Sequence, residues 1–489
     1  MILSKQIYDG TRNRPLLHFP KLKGFLMTEQ EELIWQEIQS KKKKESRAKA
    51  LDITINILLL FTVGSFLFSP CFQLILRALI VHNSTHFEEV TFYTRYTVEI
   101  YQDMIQKVNM IALFTAVLCY IYMGTKLLKN KENICPYLKA NIKKYLPLIL
   151  MWLLAISIPV VTIIRGANEY DLSGHPYMHE SIFSYMLYPT CYFFCGAFIW
   201  KSKYKKGLLY LLIISSLPMN ILFLVDEWIT KLPFFIENNK SAVFHNSNHY
   251  GYYLAIGIIA SFLLFVYEEK MSLKIFNIIS AVLGTTVLIV NNTLGAYIAI
   301  LFVLVAFIIY SFICNKKLLK LSCIALVVFL VTTIVLSFKY NTILSSFITL
   351  SNDVGMIASD PLESDSAGSS RWKLWKGTVS NLPKSPLLGF GVEGLLNTHG
   401  VGTPHNELLQ YAEFFGIPVM LIYLVAVFAV FVTVLKHNRK LNSMTIICFS
   451  ISVGYFVSSI FGVAIYYTTP FFYIFLGLSY AEWLHINNK

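Results

Sequence analysis

The chain has 489 residues, of which 55% are hydrophobic, 15% aromatic and only 14% charged, and its mean hydropathy is +0.57. Soluble globular chains carry about 25% charged residues, so the composition excludes a soluble fold along with disordered, collagenous and small disulfide-rich classes. It points to an all-α polytopic transmembrane helical bundle, and the formal charge of +13 has to be read from where its lysines and arginines sit.

Residues 1–52 form a basic N-terminal segment with no expected cleavable signal, because a long polar stretch ending in Lys41, Lys42, Lys43 and Lys44 precedes the first apolar run. Thr28, three residues before Glu31, has capping-box spacing, and residues 28–50 are expected to form an acidic-then-basic helix whose lysines anchor topology or meet anionic lipid.

Apolar runs follow at 53–76, 108–125, 145–164, 181–200, 207–225, 251–267, 275–290, 294–314, 321–338, 416–435, 443–463 and 469–486. Crossing ~30 Å of hydrocarbon takes about 20 helical residues. The expectation is therefore about 12 spans, nine in 53–338 and three in 416–489, with one large outer segment, 339–415, between spans 9 and 10. With a cytoplasmic N-terminus, the inner segments hold 30 of the 41 Lys and Arg and leave 11 elsewhere. That bias predicts both termini inside and assigns the basic charge to membrane insertion, not to nucleic acid.

The eight cysteines lie mostly within spans or on the inner side, so no outer disulfide framework is expected. No nucleotide-binding glycine pattern occurs. His82/His86, His175/His179 and His245/His249 have helical spacing for zinc, but Pro176 disfavours a helix for one pair and no acidic third ligand has fixed spacing, so the reading is no metal.

The outer segment is far longer than a typical loop of ~4–6 residues, which marks it as functional. Residues 351–370 are acidic and small, and are expected to be mobile. The chain then turns basic and aromatic through Arg371, Trp372, Lys373, Trp375 and Lys376, passes Pro386-Leu387-Leu388-Gly389-Phe390-Gly391, and reaches Thr403-Pro404-His405-Asn406.

Ser370-Arg371 with Trp375, the Pro386–Gly391 run, and His405-Asn406 followed at a fixed distance by Gly416 resemble the signature of the O-antigen ligase and polymerase superfamily. His245–Tyr250 is similar to its Asn-rich outer motif, and Thr293-Leu294-Gly295-Ala296 to its small-residue motif, so the resemblance covers roughly residues 215–430. It implies a bacterial cytoplasmic-membrane enzyme that moves a glycan from a polyprenyl (undecaprenyl) diphosphate carrier to a glycan, lipid or protein acceptor on the outer face, without metal, nucleotide or other cofactor. Ligase and polymerase differ in the acceptor, which is another lipid-linked repeat for the polymerase.

Such a reaction needs a base for the attacking hydroxyl and fixed positive charge for the leaving diphosphate. His405 suits the base, because an ordinary histidine titrates near ~6.5. Arg371 suits the diphosphate, since its guanidinium stays charged and pairs with two phosphate oxygens, and Lys373 and Lys376 lie beside it. Asn406 is read as a sugar ligand or a helix cap. Trp375 is read as a substrate contact or an interfacial anchor, and Asn248 as a further substrate contact. Where relatives carry an arginine in the small-residue motif this chain has Leu294, and Arg165 is the candidate to replace it. The rival classes are a transporter or flippase of lipid-linked glycan and a non-catalytic scaffold. Few charges lie within the spans and no internal repeat is evident, which favours the enzyme.

Overall fold

A computed structural model describes residues 29–83, 108–122, 124–125, 134–174, 180–232, 235, 240–244, 246–340, 342–395, 402–436 and 441–486. Thr28 of the expected capping box lies outside them. The chain divides into two compact units, Met1–Thr54 and Ile55–Lys489. In the first, the described residues are helical from Glu29, and Leu33, Trp35 and Ile38 are exposed alongside the lysines.

The secondary structure of the described residues is helical throughout: α1 (Glu29–Asn83), α2 (Val108–Tyr122), α3 (Ile134–Arg165), α4 (Glu169–Ser173), α5 (Ile182–Leu187), α6 (Phe193–Phe198), α7 (Ser202–Trp228), α8 (Ser247–Tyr267), α9 (Met271–Asn291), α10 (Leu294–Cys314), α11 (Lys316–Tyr340), α12 (Thr342–Ser359), α13 (Arg371–Asn381), α14 (Glu407–Phe415), α15 (Ile417–Lys436), α16 (Ser443–Ser459) and α17 (Thr469–Ile486). Backbone hydrogen bonds closed within each helix are what hydrocarbon demands of a spanning segment. Eight of these helices are long and apolar enough to cross a membrane, while α2, the 182–198 segment and α16 are apolar but shorter. The apolar runs are thus helices, and among the described residues eight have by themselves the length and composition of a crossing.

The 182–198 segment is interrupted by a π-helical turn at Tyr188–Tyr192, which contains Pro189 and so lacks one backbone donor. Its second half packs on α17 with backbones nearly touching: a Cβ at Gly196 would lie 2.3 Å from the Ile474 carbonyl oxygen. Small residues permit this approach, which supplies packing where lipid offers no hydrophobic drive for helix association. α8 is the core helix, buried along almost its whole length. α10 and α11 instead present Phe302, Ile309, Val331 and Phe338 outward as apolar surface suited to lipid.

Polar residues collect at opposite ends of α8. At its C-terminal end, Glu268 pairs with Lys206 at 2.7 Å and accepts from Tyr210 at 2.9 Å. At its N-terminal end lie the asparagine motif and the 339–415 segment. The first part of that segment carries a helix and tertiary hydrogen bonds. α12 runs to Ser359, the Asp353 carboxylate accepts from the Gly368 amide at 2.9 Å, and the Trp372 indole donates to the Pro361 carbonyl at 2.9 Å.

Candidate active site

The first turn of α8 joins the two motifs that precede the long segment. Asn246 caps the helix, its side-chain oxygen accepting from the Asn248 amide at 2.8 Å. Asn291, at the end of α9, donates to the carbonyls of Lys240 at 2.7 Å and Ser247 at 3.0 Å, and the Thr293 hydroxyl meets the Ser247 carbonyl at 3.1 Å. Gly251 lets Thr293 approach, since a Cβ there would sit 2.4 Å from the Thr293 Cβ. The asparagine motif and the small-residue motif are therefore one hydrogen-bonded unit. Tyr252, one turn along α8, donates to the Phe461 carbonyl at 2.6 Å and ties the unit to the connection between α16 and α17.

Arg371 begins α13 after three successive left-handed residues, Gly368, Ser369 and Ser370. Its Nη2 lies 3.5 Å from the Asn248 side-chain oxygen, and its charge reaches Tyr252. Trp375, one turn on, donates its indole N–H to the Pro404 carbonyl at 2.7 Å, which fixes the residue preceding His405. Lys376 pairs with Asp365 at 2.8 Å, Lys373 stands 3.9 Å from the same carboxylate, and Lys376 also donates to the Leu362 carbonyl. Those hydrogen bonds and charges hold Asp365 below the usual carboxylate range.

The glycines of the Pro386–Gly391 run have a geometric cause. Gly389 (φ 66°) and Gly416 (φ 87°) are both left-handed; a Cβ on Gly389 would come within 2.6 Å of the Gly416 nitrogen, and one on Gly416 within 2.3 Å of the Leu387 carbonyl oxygen. The amides of Phe390, Gly391 and Ile417 donate to the carbonyls of Glu413, Phe414 and Pro386 at 2.7, 2.9 and 2.8 Å. This clasp holds the C-terminal end of α14. At its other end Asn406 is the cap, accepting from Leu408 and Leu409 at 3.0 and 3.1 Å, and His405 precedes it at φ 48°, a conformation uncommon for a non-glycine residue.

Burial first, and the Arg371 charge second, push the His405 imidazole down to about 4, so it is neutral at neutral pH. Two carboxyls of α14, Glu407 and Glu413, are buried as well. Glu407 accepts from the hydroxyls of Tyr423 and Tyr455 at 3.1 and 3.3 Å, and Glu413 accepts from the Leu395 amide at 2.9 Å and the Thr378 hydroxyl at 3.2 Å. Burial raises each to about 7. The signal that could have revealed them is their spacing on α14, which places both among apolar neighbours of a short helix.

Of the predicted site residues, Arg371, Asn248, His405, Trp375 and Asn406 are linked in one place. Lys373 and Lys376 share Asp365. Arg165 forms an ion pair with buried Asp171 and donates to the Phe414 carbonyl at 3.2 Å, under Gly391; it supports the far end of α14. Of the three histidine pairs, only the His249 side chain lies among the described residues, where it stacks on Tyr467 at 5.9 Å. Among the described residues no cluster of three or more His, Cys, Asp or Glu could hold a metal ion.

Fold and site together define a helical membrane protein with a preorganised polar centre, one arginine and one neutral histidine, at the ends of its helices. Residues 279–424 match the family model described as O-Antigen ligase, which supports the O-antigen ligase and polymerase superfamily that the motifs resemble. The matched region takes in the small-residue motif, Arg371, the glycine clasp and His405. No curated protein matches the chain.

Proposed function

We propose that the protein is a glycan transferase that joins a saccharide from a polyprenyl diphosphate carrier to an acceptor hydroxyl on the outer face of the bacterial cytoplasmic membrane, without a metal. In this reading the chain crosses about twelve times with both termini inside, and 339–415 is the catalytic segment.

The acceptor oxygen attacks the anomeric carbon, its proton passes to a His405 ring nitrogen, and the bond from that carbon to the diphosphate oxygen breaks. Arg371, held by Asn248, carries the charge of the departing diphosphate. A base at about 4 is ready but weak. Part of that weakness comes from Arg371, and an anionic diphosphate on Arg371 offsets it, so donor binding strengthens the base when it is needed. General-base assistance of this kind is typically worth ~10²–10⁴-fold. Lys373 and Lys376 add positive potential at the entrance, and Asn406 serves as the cap that sets the position of His405.

The observation that carries the proposal is the convergence of Arg371, Asn248 and His405, from three separate motifs, with Arg371 and His405 inside the region, 279–424, that matches the O-Antigen ligase family. The test is purified protein in proteoliposomes with a polyprenyl-diphosphate oligosaccharide, an acceptor and excess chelator. New glycosidic product with release of the carrier diphosphate supports a transferase. Movement of intact donor across the bilayer with no new bond supports a flippase, and activity that returns only with added zinc or manganese removes metal independence.

A further inference from the structure

A second arginine stands apart from the outer segment. Arg77 lies in the span Trp35–Leu79, is 1% exposed, and its Nε, Nη1 and Nη2 find no hydrogen-bond partner among the described residues. The ionisable groups acting on it are the phenols of Tyr466 and Tyr467, with no carboxylate among them. A guanidinium does not shed its charge, and charges inside proteins are retained when paired. Arg77 therefore has five donors and a permanent charge, and no counter-ion among the described residues.

Its surroundings are polar acceptors in waiting. Gln73, one helical turn earlier on the same face, donates to the Val243 carbonyl at 2.9 Å, and neither its side-chain oxygen nor the hydroxyl of buried Ser241, two residues before Val243, finds a partner among the described residues. The cluster also connects to the site. Tyr467 stacks on His249, and the next residue, Asn248, meets Arg371. Arg371 thus meets the first turn of α8 directly, and Arg77 is linked to the same turn through Tyr467 and His249.

We propose that Arg77 is a binding residue for the lipid-side phosphate of the diphosphate donor, an inference that rests on the transferase reading above. Phosphate oxygens accept paired hydrogen bonds from a guanidinium and supply the missing charge together. The occupant is the donor's diphosphate and not a bulk lipid headgroup, because Arg77 connects through Tyr467 and His249 to the turn of α8 that meets Arg371.

The experiment uses full-length protein in phosphatidylcholine nanodiscs, with a sugar-free polyprenyl diphosphate as the probe. Without the probe, Arg77→Met should melt at or above the wild-type temperature, because no partner is lost. It should bind the probe at least about tenfold more weakly, with Arg77→Lys in between. Should Arg77→Met fail to fold, Arg77→Lys decides: weakened binding supports the inference, and wild-type affinity overturns it. Unchanged affinity in a folded Arg77→Met protein overturns it, as does Arg77-dependent stabilisation by phosphatidylglycerol nanodiscs alone. If Arg371→Ala weakens binding while Arg77→Met does not, only this inference falls. If the wild type does not bind the probe at all, the transferase reading falls with it.

Discussion

Arg371 and His405 lie 34 residues apart in the 339–415 segment, and the guanidinium acts with burial to hold the imidazole at about 4. In the proposed mechanism, a positive group beside the base is a disadvantage until an anion arrives, and then becomes part of how the donor is sensed.

The pH dependence should show this coupling. kcat/KM reports the free enzyme and kcat the donor complex, so the acid limb of kcat/KM is expected near 4, well below an ordinary histidine, and that of kcat at higher pH. Arg371→Ala should move the kcat/KM limb upward. A limb near ~6.5 in the wild type would contradict the buried, arginine-flanked environment.

Gly389 and Gly416 should tolerate no side chain. Each is left-handed and each Cβ would strike backbone, so Gly389→Ala or Gly416→Ala is expected to lose about 1–3 kcal/mol or more and with it the placement of His405. Gly355, within α12 with open space around its Cβ position, is the control, where alanine should be neutral or gain up to ~1 kcal/mol. Melting temperatures of the three variants make the comparison.

Glu407 should make stability fall as pH rises. Its folded value of about 7 lies above the ordinary 4.5, so its favourable contribution is complete below 4.5 and lost as pH climbs through 7, on the order of 3 kcal/mol at 1.36 kcal/mol for each pH unit. His405, whose folded value is depressed, acts oppositely between 4 and 6.5, so the informative quantity is the difference between wild type and Glu407→Gln. That variant keeps an acceptor for Tyr423 and should flatten the melting temperature between pH 5 and 8 relative to wild type.

Much of this was legible in the sequence, because apolar runs near twenty residues leave a helix as the only way to satisfy the backbone in lipid. Arg371, His405 and the glycine clasp were legible as residues, and the capping role of Asn406 as one of two alternatives. Three things were hidden for physical reasons. The 182–198 run reads as one span, but the π-helical turn with Pro189 divides it. Acidic, small residues at 351–370 suggest mobility, but the Asp353 to Gly368 hydrogen bond and the tryptophan contacts depend on tertiary approach, which composition does not encode. The ion pair that Arg165 makes with Asp171, six residues later, likewise depends on how the backbone turns between them.

Topology is open to a direct check. Ser366 and Ser202 are both exposed and lie in segments that the charge bias assigns to opposite sides. In a cysteine-free background, Ser366→Cys should react with an impermeant thiol reagent from outside and Ser202→Cys should not. Outside labelling at position 202 would reverse the orientation and move 339–415 to the cytoplasm.

The central claim is that His405 is the base and Arg371 the diphosphate ligand. The measurement is donor consumption, product length and donor affinity in proteoliposomes for wild type, His405→Ala, Arg371→Ala and Arg371→Lys. The account predicts that His405→Ala loses about 10²–10⁴-fold in transfer rate while donor affinity survives. Arg371→Ala should lose both, and Arg371→Lys should regain part of each, because lysine keeps the charge without the paired geometry. Glycan product from His405→Ala at near the wild-type rate would contradict the assignment of the base and, with it, the mechanism.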